Sequence, residues 1–321
     1  MGNQFSGVFI CPFILMATVK YKGPKFSLFF PPEPELDQDP VSTQEHLRNS
    51  FNSLNDQMFE NMYMPDLKKM MTEISETCLN SLGQTFTCVG SQTELKSHNA
   101  VVNNNFFIGD RHKLAKITSV YVYACGDYVY KRSSFLKNDA NCYFKLILEI
   151  CLQNYALSLD CRLKIPAIID CALLQNENYL SLEIKMERID IINVYDEPDS
   201  ITQHHTHLMQ IIKSGLDCFE RNGLYHNDTH SDNIGFYKDA DGNLQVVLMD
   251  FGKATLTDKN RYPSTTGFYK QLDSEDKFKE WLLRTIPVNA WARSLYGGRK
   301  KRTRRNKKQR RHRKRKTHRR K

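Results

Sequence analysis

The stretch from Gly223 to Ala254, GLYHNDTHSDNIGFYKDADGNLQVVLMDFGKA, constrains this chain more than any other. It holds two short polar motifs: His226-Asn227-Asp228-Thr229-His230-Ser231-Asp232-Asn233, of the form H-x-D-x-x-x-x-N, and Asp250-Phe251-Gly252. Between them, the alternation of Ile234 and Phe236, the turn-forming Asp241-Gly242-Asn243 and the run Leu244 to Met249 predict a β-hairpin. A hairpin returns on itself, so the two motifs are expected side by side. Asp250 and Asn233 then offer hard oxygen donors for a small divalent cation such as Mg2+, and Asp228 offers a carboxylate to orient an attacking hydroxyl.

This is the division of labour that phosphoryl transfer requires, since little covalent help from the protein is needed there. Order and spacing of loop, hairpin and Asp-Phe-Gly resemble the protein-kinase superfamily. The resemblance implies an α+β, bilobal protein-kinase-like fold that binds ATP and Mg2+ and transfers the γ-phosphoryl group to a hydroxyl of a protein or small molecule. His226 is expected to brace the loop. Asn227 stands where many protein kinases carry an arginine that reads a phosphorylated activation loop, so that form of regulation is not expected. His230 stands where a lysine is usual. The pattern H-x-D-x-H-x-x-N is closer to aminoglycoside and choline-type phosphotransferases and small atypical kinases.

Upstream, the chain reads as the rest of such a domain. Phe106–Asp110, Ile117–Cys125 and Tyr128–Arg132 are expected strands, the last two joined at Gly126-Asp127. In the resemblance Lys131 holds the ATP phosphates. A helix over about 140–159 carries a single acid, Glu149, with Leu146 and Leu152 beside it, and Lys131 is its expected partner. Gly109 is the only glycine in 109–117, where a phosphate-covering loop should lie, so Arg111, Lys113 and Lys116 are the candidates to supply positive charge instead. Ile165–Asp170 and Leu180–Met186 are read as strands, followed by a hinge in which Met186 backs the adenine pocket and the backbone of Glu187 and Ile189 meets the base. Ser200 is expected to cap a helix ending at Gly223, with His204, His205 and His207 read as solvated surface.

The flanks carry different signals. Met1-Gly2-Asn3-Gln4-Phe5-Ser6 fits the myristoylation pattern M-G-x-x-x-[ST], and Pro31–Pro40 reads as a stiff acidic linker. The run Val8–Val19 is too short to span a bilayer. Ser42-Thr43-Gln44-Glu45 predicts a capping box, and Leu67, Met70, Met71, Ile74, Cys78 and Leu82 form the apolar stripe of a second helix, read as core or docking surface. After Gly252 only 44 residues precede the basic end, enough for one amphipathic helix marked by Phe278, Trp281, Leu282 and Ile286, so the large lobe is expected to be short.

Charge divides the chain. The net +10 hides a segment, 297–321, with 17 of the 46 basic residues and no acid; the remainder holds 29 bases against 36 acids. That segment cannot build a core and is expected to be a disordered arm, with Arg299 to Lys321 binding a polyanion, nucleic acid or anionic membrane. It also resembles the tails of many proteins of large DNA viruses. Nine cysteines without a CxxC or a secreted framework imply a reducing, intracellular setting, with membrane, nucleus and virion as destinations the termini allow.

The expected organisation is a segment 1–41, a helical extension 42–102, the kinase-like domain 103–296 and the tail 297–321. A pseudokinase binding module, a small-molecule kinase and an adaptor working through its tail are the alternative readings.

Overall fold

A computed structural model describes residues 40–60, 62–88, 91–98, 101–108, 111–192, 194, 198–256 and 272–284. The fold is α+β. Its centre is one antiparallel sheet of six strands: β1 (Thr93–His98), β2 (Val102–Ile108), β3 (Arg111–Cys125), β4 (Tyr128–Leu136), β5 (Ile168–Gln175) and β6 (Tyr179–Glu187). The order across it is β1-β3-β4-β6-β5, and β2 pairs with the first half of the long β3. Gly126 makes the tight β3–β4 turn with φ +57°, a conformation that costs a residue with a side chain about 1–2 kcal/mol.

Helix α3 (Ala140–Ser158) lies against this sheet. Asp139 caps it by accepting a hydrogen bond from the Cys142 N–H at 2.9 Å. The helix is buried almost all round, which only a second layer can provide. That layer is α1 (Pro40–Phe59) and α2 (Pro65–Asn80). Phe51 of α1 packs on the rings of Tyr143 and Phe144, at 6.1 and 5.4 Å, and the Tyr143 hydroxyl meets Ser75 Oγ of α2 at 3.1 Å. The Met-rich stripe of α2 faces this common core, with Leu67, Met71, Cys78 and Leu79 buried.

After β6 the chain is mainly helical. α4 (Pro198–Gln203), α5 (His205–Arg221) and α6 (Glu275–Arg284) accompany a two-stranded hairpin, β7 (Ile234–Lys238) and β8 (Leu244–Leu248). Asp239 shapes the hairpin turn: its Oδ1 accepts from the N–H groups of Asp241 and Asn243, while Gly242 takes φ +81°. No helix among the described residues is long and apolar enough to cross a membrane.

Several expectations need correction. The first helix starts at Pro40, whose fixed φ suits a first helical turn, so Ser42 lies inside the helix. Ser200 likewise sits within α4, and the chain breaks at His204 before α5. His205 is not simply solvated surface: its ring packs on Phe278 at 5.0 Å and its Nε2 meets the Leu272 carbonyl at 3.0 Å. Strand β1 was not expected, and β2 crosses the anticipated boundary at 102/103, because the long β3 leaves an edge that both segments fill. Residues 111–117 form a strand, where a loop was expected, and Gly109 itself lies outside the described residues. The fifth strand begins at Ile168 and continues to Gln175, later than the expected Ile165–Asp170.

The cysteines differ most from expectation. Cys78–Cys171, Cys88–Cys125 and Cys161–Cys218 form disulfides, while Cys142 and Cys151 are buried thiols. The partners stand 93, 37 and 57 residues apart, and only the packing of α2 on β5, of residues 84–88 on β3, and of the α3 exit on α5 brings them together. The premise for a reducing setting is thereby removed. The 1–39 segment, with Gly2 and Val8–Val19, together with Ile286 and the basic tail, lies outside the described residues.

Candidate active site

The loop from Tyr225 to Asn233 is sewn to the strand end that follows β8. Tyr225 and Thr255 exchange backbone hydrogen bonds at 2.8 Å in both directions, and the Met249 N–H donates to the Asn233 carbonyl at 2.9 Å. Asn227, in the left-handed region at φ +60°, donates its side-chain amide to the Lys253 carbonyl at 3.3 Å and to Thr255 Oγ1 at 3.0 Å. Asp250 is also left-handed, at φ +59°. Two such non-glycine residues, at a cost of about 1–3 kcal/mol each, persist only where surrounding bonds over-determine them.

His226 provides part of that restraint. Its Nε2 donates to the Met249 carbonyl at 3.1 Å, and its ring stands edge-on to Phe251 at 4.9 Å. Burial pushes its pKa down to about 4, so the imidazole is neutral and its Nδ1 is buried without a hydrogen-bond partner among the described residues.

Behind the loop lies an ionic cluster. Lys131, in the middle of β4, reaches Glu149 of α3 at 2.5 Å and Oδ1 of Asp250 at 3.2 Å. Burial disfavours the Lys131 ammonium, but the charges of Asp250 and Glu149 outweigh it and raise the pKa above the ordinary lysine value. The Lys131 charge in turn is the main reason that the Asp250 carboxyl is held far below the usual range. Gly252 permits this crowding, because a Cβ there would stand 3.0 Å from Asp250 Oδ1 and 3.3 Å from Glu149 Oε2.

Asp228 faces the cluster from the loop. Its Oδ1 accepts from Lys253 Nζ at 2.8 Å; its Oδ2 accepts from Asn233 Nδ2 at 3.1 Å and lies 3.4 Å from His230 Nε2. Burial would raise the Asp228 pKa, yet the hydrogen bonds from His230 and Lys253 prevail and hold it below the carboxylate range. The bond to Asp228 conversely raises His230 above its ordinary value.

The structure thus brings Lys131, Glu149, Asp250, Asp228, Asn233 and His226 into one region. Residues expected at the adenine hinge are less free. The Glu187 N–H is taken by the Ala167 carbonyl at 2.8 Å and its carboxylate by Lys164 at 2.7 Å, so of its backbone only the carbonyl can meet a base. Met186 and Ile189 lie at and just past the end of β6, half-buried.

Two lysines escaped the sequence reading. Lys253 follows the Asp-Phe-Gly motif, and nothing local indicates that it turns back to Asp228. Lys145 stands one helical turn before Glu149 in α3 and is 3 % exposed. It has no hydrogen bond among the described residues, and burial lowers its pKa to about 8.

The oxygens suit a hard cation. Asn233 turns its amide nitrogen to the Asp228 carbonyl, at 2.9 Å, and to the Asp228 carboxylate, which leaves its oxygen directed elsewhere. Asp250 engages Lys131 and the Gly252 N–H through Oδ1 only. No group of three or more His, Cys, Asp or Glu that could hold a metal occurs among the described residues. Asn233 Oδ1 and Asp250 Oδ2 are the oxygens of the two residues that these hydrogen bonds leave to meet a cation.

No protein-family profile and no curated protein matches the chain. Among solved structures, that of WbdD is similar, at 18% sequence identity and a TM-score of 0.33 over 53% of this chain. The chain spans 39% of WbdD's length.

Proposed function

We propose that the chain is an ATP- and Mg2+-dependent phosphotransferase of protein-kinase type. The observation that carries this reading is the convergence of the Lys131–Glu149–Asp250 ion cluster with Asp228 and Asn233, from four separate segments of the chain. In it, β1 to β6 with α3 form the small lobe, backed by α1 and α2, which pack on α3 and β5 rather than on the large lobe, and α4 to α6 with the β7–β8 hairpin form a short large lobe. Lys131, oriented by Glu149, binds phosphate oxygens. Asp250 and Asn233 hold Mg2+, which supplies charge neutralisation on the phosphates. Asp228 is held ionised by Lys253 and His230 and accepts a hydrogen bond from the acceptor hydroxyl, a protein side chain or a small molecule. His226 and Asn227 keep the loop in register with Asp250. The basic segment Arg299 to Lys321 is proposed to bring the enzyme to a polyanion.

A binding-only reading has one observation in its favour, the Lys253 ammonium seated on the carboxylate that must meet the acceptor. Turnover separates the two. With γ-labelled ATP and Mg2+, the wild-type chain should transfer or release label, Asp228→Asn should bind ATP and lose turnover by about a hundredfold or more, and Asp250→Ala should lose Mg2+-dependent binding. Equal label transfer by wild type and Asp228→Asn would sink the enzyme reading.

A further inference from the structure

The phosphate-covering loop expected near Gly109 has one glycine, and the fold removes the basic side chains that could replace it. Lys113 lies nine residues from Val122 along β3, on the order of 30 Å in an extended strand, and Arg111 lies farther still. Lys116 projects to the face opposite its neighbour Ile117, which is buried in the core shared with α3. None of the three is positioned to meet Lys131.

Another lysine is. Lys96 of β1 pairs with Val122 of β3, and Val122 pairs with Lys131 of β4. Directly opposed residues in antiparallel strands project from the same face, so Lys96, Val122 and Lys131 form one row on the side that carries Glu149 and Asp250. The backbones of the two lysines are two strand spacings apart, about 10 Å. Lys131 is locked in its ion cluster, whereas Lys96 is exposed and its side chain has no hydrogen bond or ion pair among the described residues. The row sets Lys96 on the face from which Lys131 reaches Glu149 and Asp250. On the loop side, Asp232 has its Oδ1 buried without a hydrogen-bond partner, while its Oδ2 lies 3.9 Å from His230 Nδ1.

We propose that Lys96 is the phosphate-covering cation of this protein: its flexible side chain closes over the outer phosphates of a nucleoside triphosphate, the task that backbone N–H groups of a glycine-rich loop would otherwise perform. Lys131 takes the inner phosphates and Val122 lies between the two. A lysine suits this because its ammonium is a mobile point charge that needs no special backbone conformation. The inference rests on the phosphotransferase reading.

The test compares MgATP with adenosine, which has no phosphate, on the full-length chain by calorimetry, with adenosine measured by competition. Lys96→Ala should weaken MgATP about tenfold to a hundredfold and leave adenosine within about twofold, as expected for losing one charge-assisted hydrogen bond. Lys96→Arg should retain most of the affinity, and Lys113→Ala should match wild type. Unchanged MgATP affinity in Lys96→Ala would overturn the proposal. So would an equal loss for adenosine, since Lys96 would then act on the fold of the site and not on phosphate. If Lys113→Ala weakens MgATP as much as Lys96→Ala, the phosphates lie under the β2–β3 hairpin and the proposal fails. A wild-type chain that binds neither ligand overturns the phosphotransferase reading along with it; one that binds both, with no effect of Lys96→Ala, overturns the Lys96 assignment alone.

Discussion

Lys253 Nζ lies 2.8 Å from Oδ1 of Asp228, although 25 residues separate them and the β7–β8 hairpin stands between. His230, two positions after this aspartate, lies 3.4 Å from its Oδ2, and the lysine beside Asp228 comes from the far side of the hairpin. A positive charge there keeps the carboxylate ionised, and under the proposed phosphotransferase reading it would meet charge developing on a transferred phosphoryl group.

Lys253→Ala should therefore lower kcat by about tenfold to a hundredfold while the KM for ATP changes little, because the contact matters chiefly once charge develops. Steady-state kinetics decide it. A rise in kcat would mean that Lys253 blocks Asp228 and gates the site.

The α1–α2 layer should be inseparable from the domain. Phe51→Ala removes a fully buried ring packed on Tyr143 and Phe144, and should cost about 3–5 kcal/mol in urea unfolding. An unchanged midpoint would make these helices an appendage.

Stability should fall with acid through His226. Its folded pKa, pushed down by burial to about 4, lies below the ordinary 6.5, so between those values the unfolded chain binds more protons. The stabilisation is complete above about pH 6.5, declines as pH drops and is gone below about 4, a total of roughly 3 kcal/mol. His226→Gln, compared with wild type by denaturation from pH 7 to 4.5, should flatten this dependence. Parallel curves would place the effect elsewhere.

Non-reducing peptide mapping should recover Cys78–Cys171, Cys88–Cys125 and Cys161–Cys218, with Cys142 and Cys151 unreactive to thiol reagents until the chain unfolds. Cys78–Cys171 closes the longest loop of the three, and its double replacement by Ala should cost about 4.6 kcal/mol in the chain-entropy picture. Recovery of Cys78 as a free thiol from native protein would contradict the packing of α2 on β5.

Features set by short-range chemistry were legible in the sequence. The β7–β8 hairpin follows from alternation and an Asp-Gly-Asn turn, the β3–β4 turn from Gly126, and the stripe of α2 from helical spacing, since each depends on residues a few positions apart. Glu149 was conspicuous as the lone acid of an apolar helix. Tertiary structure decided the rest. Whether 111–117 is a loop or a strand depended on β2 being available to pair with it, and whether Lys96 or Lys113 shares a row with Lys131 depended on register across three strands. Lys253 reaches Asp228, and Cys161 reaches Cys218, only because packing joins segments whose separation in sequence carries no signal. A turn or helical stripe is dictated by the backbone preferences of its own residues, whereas strand register and long-range side-chain pairs minimise the free energy of the whole core.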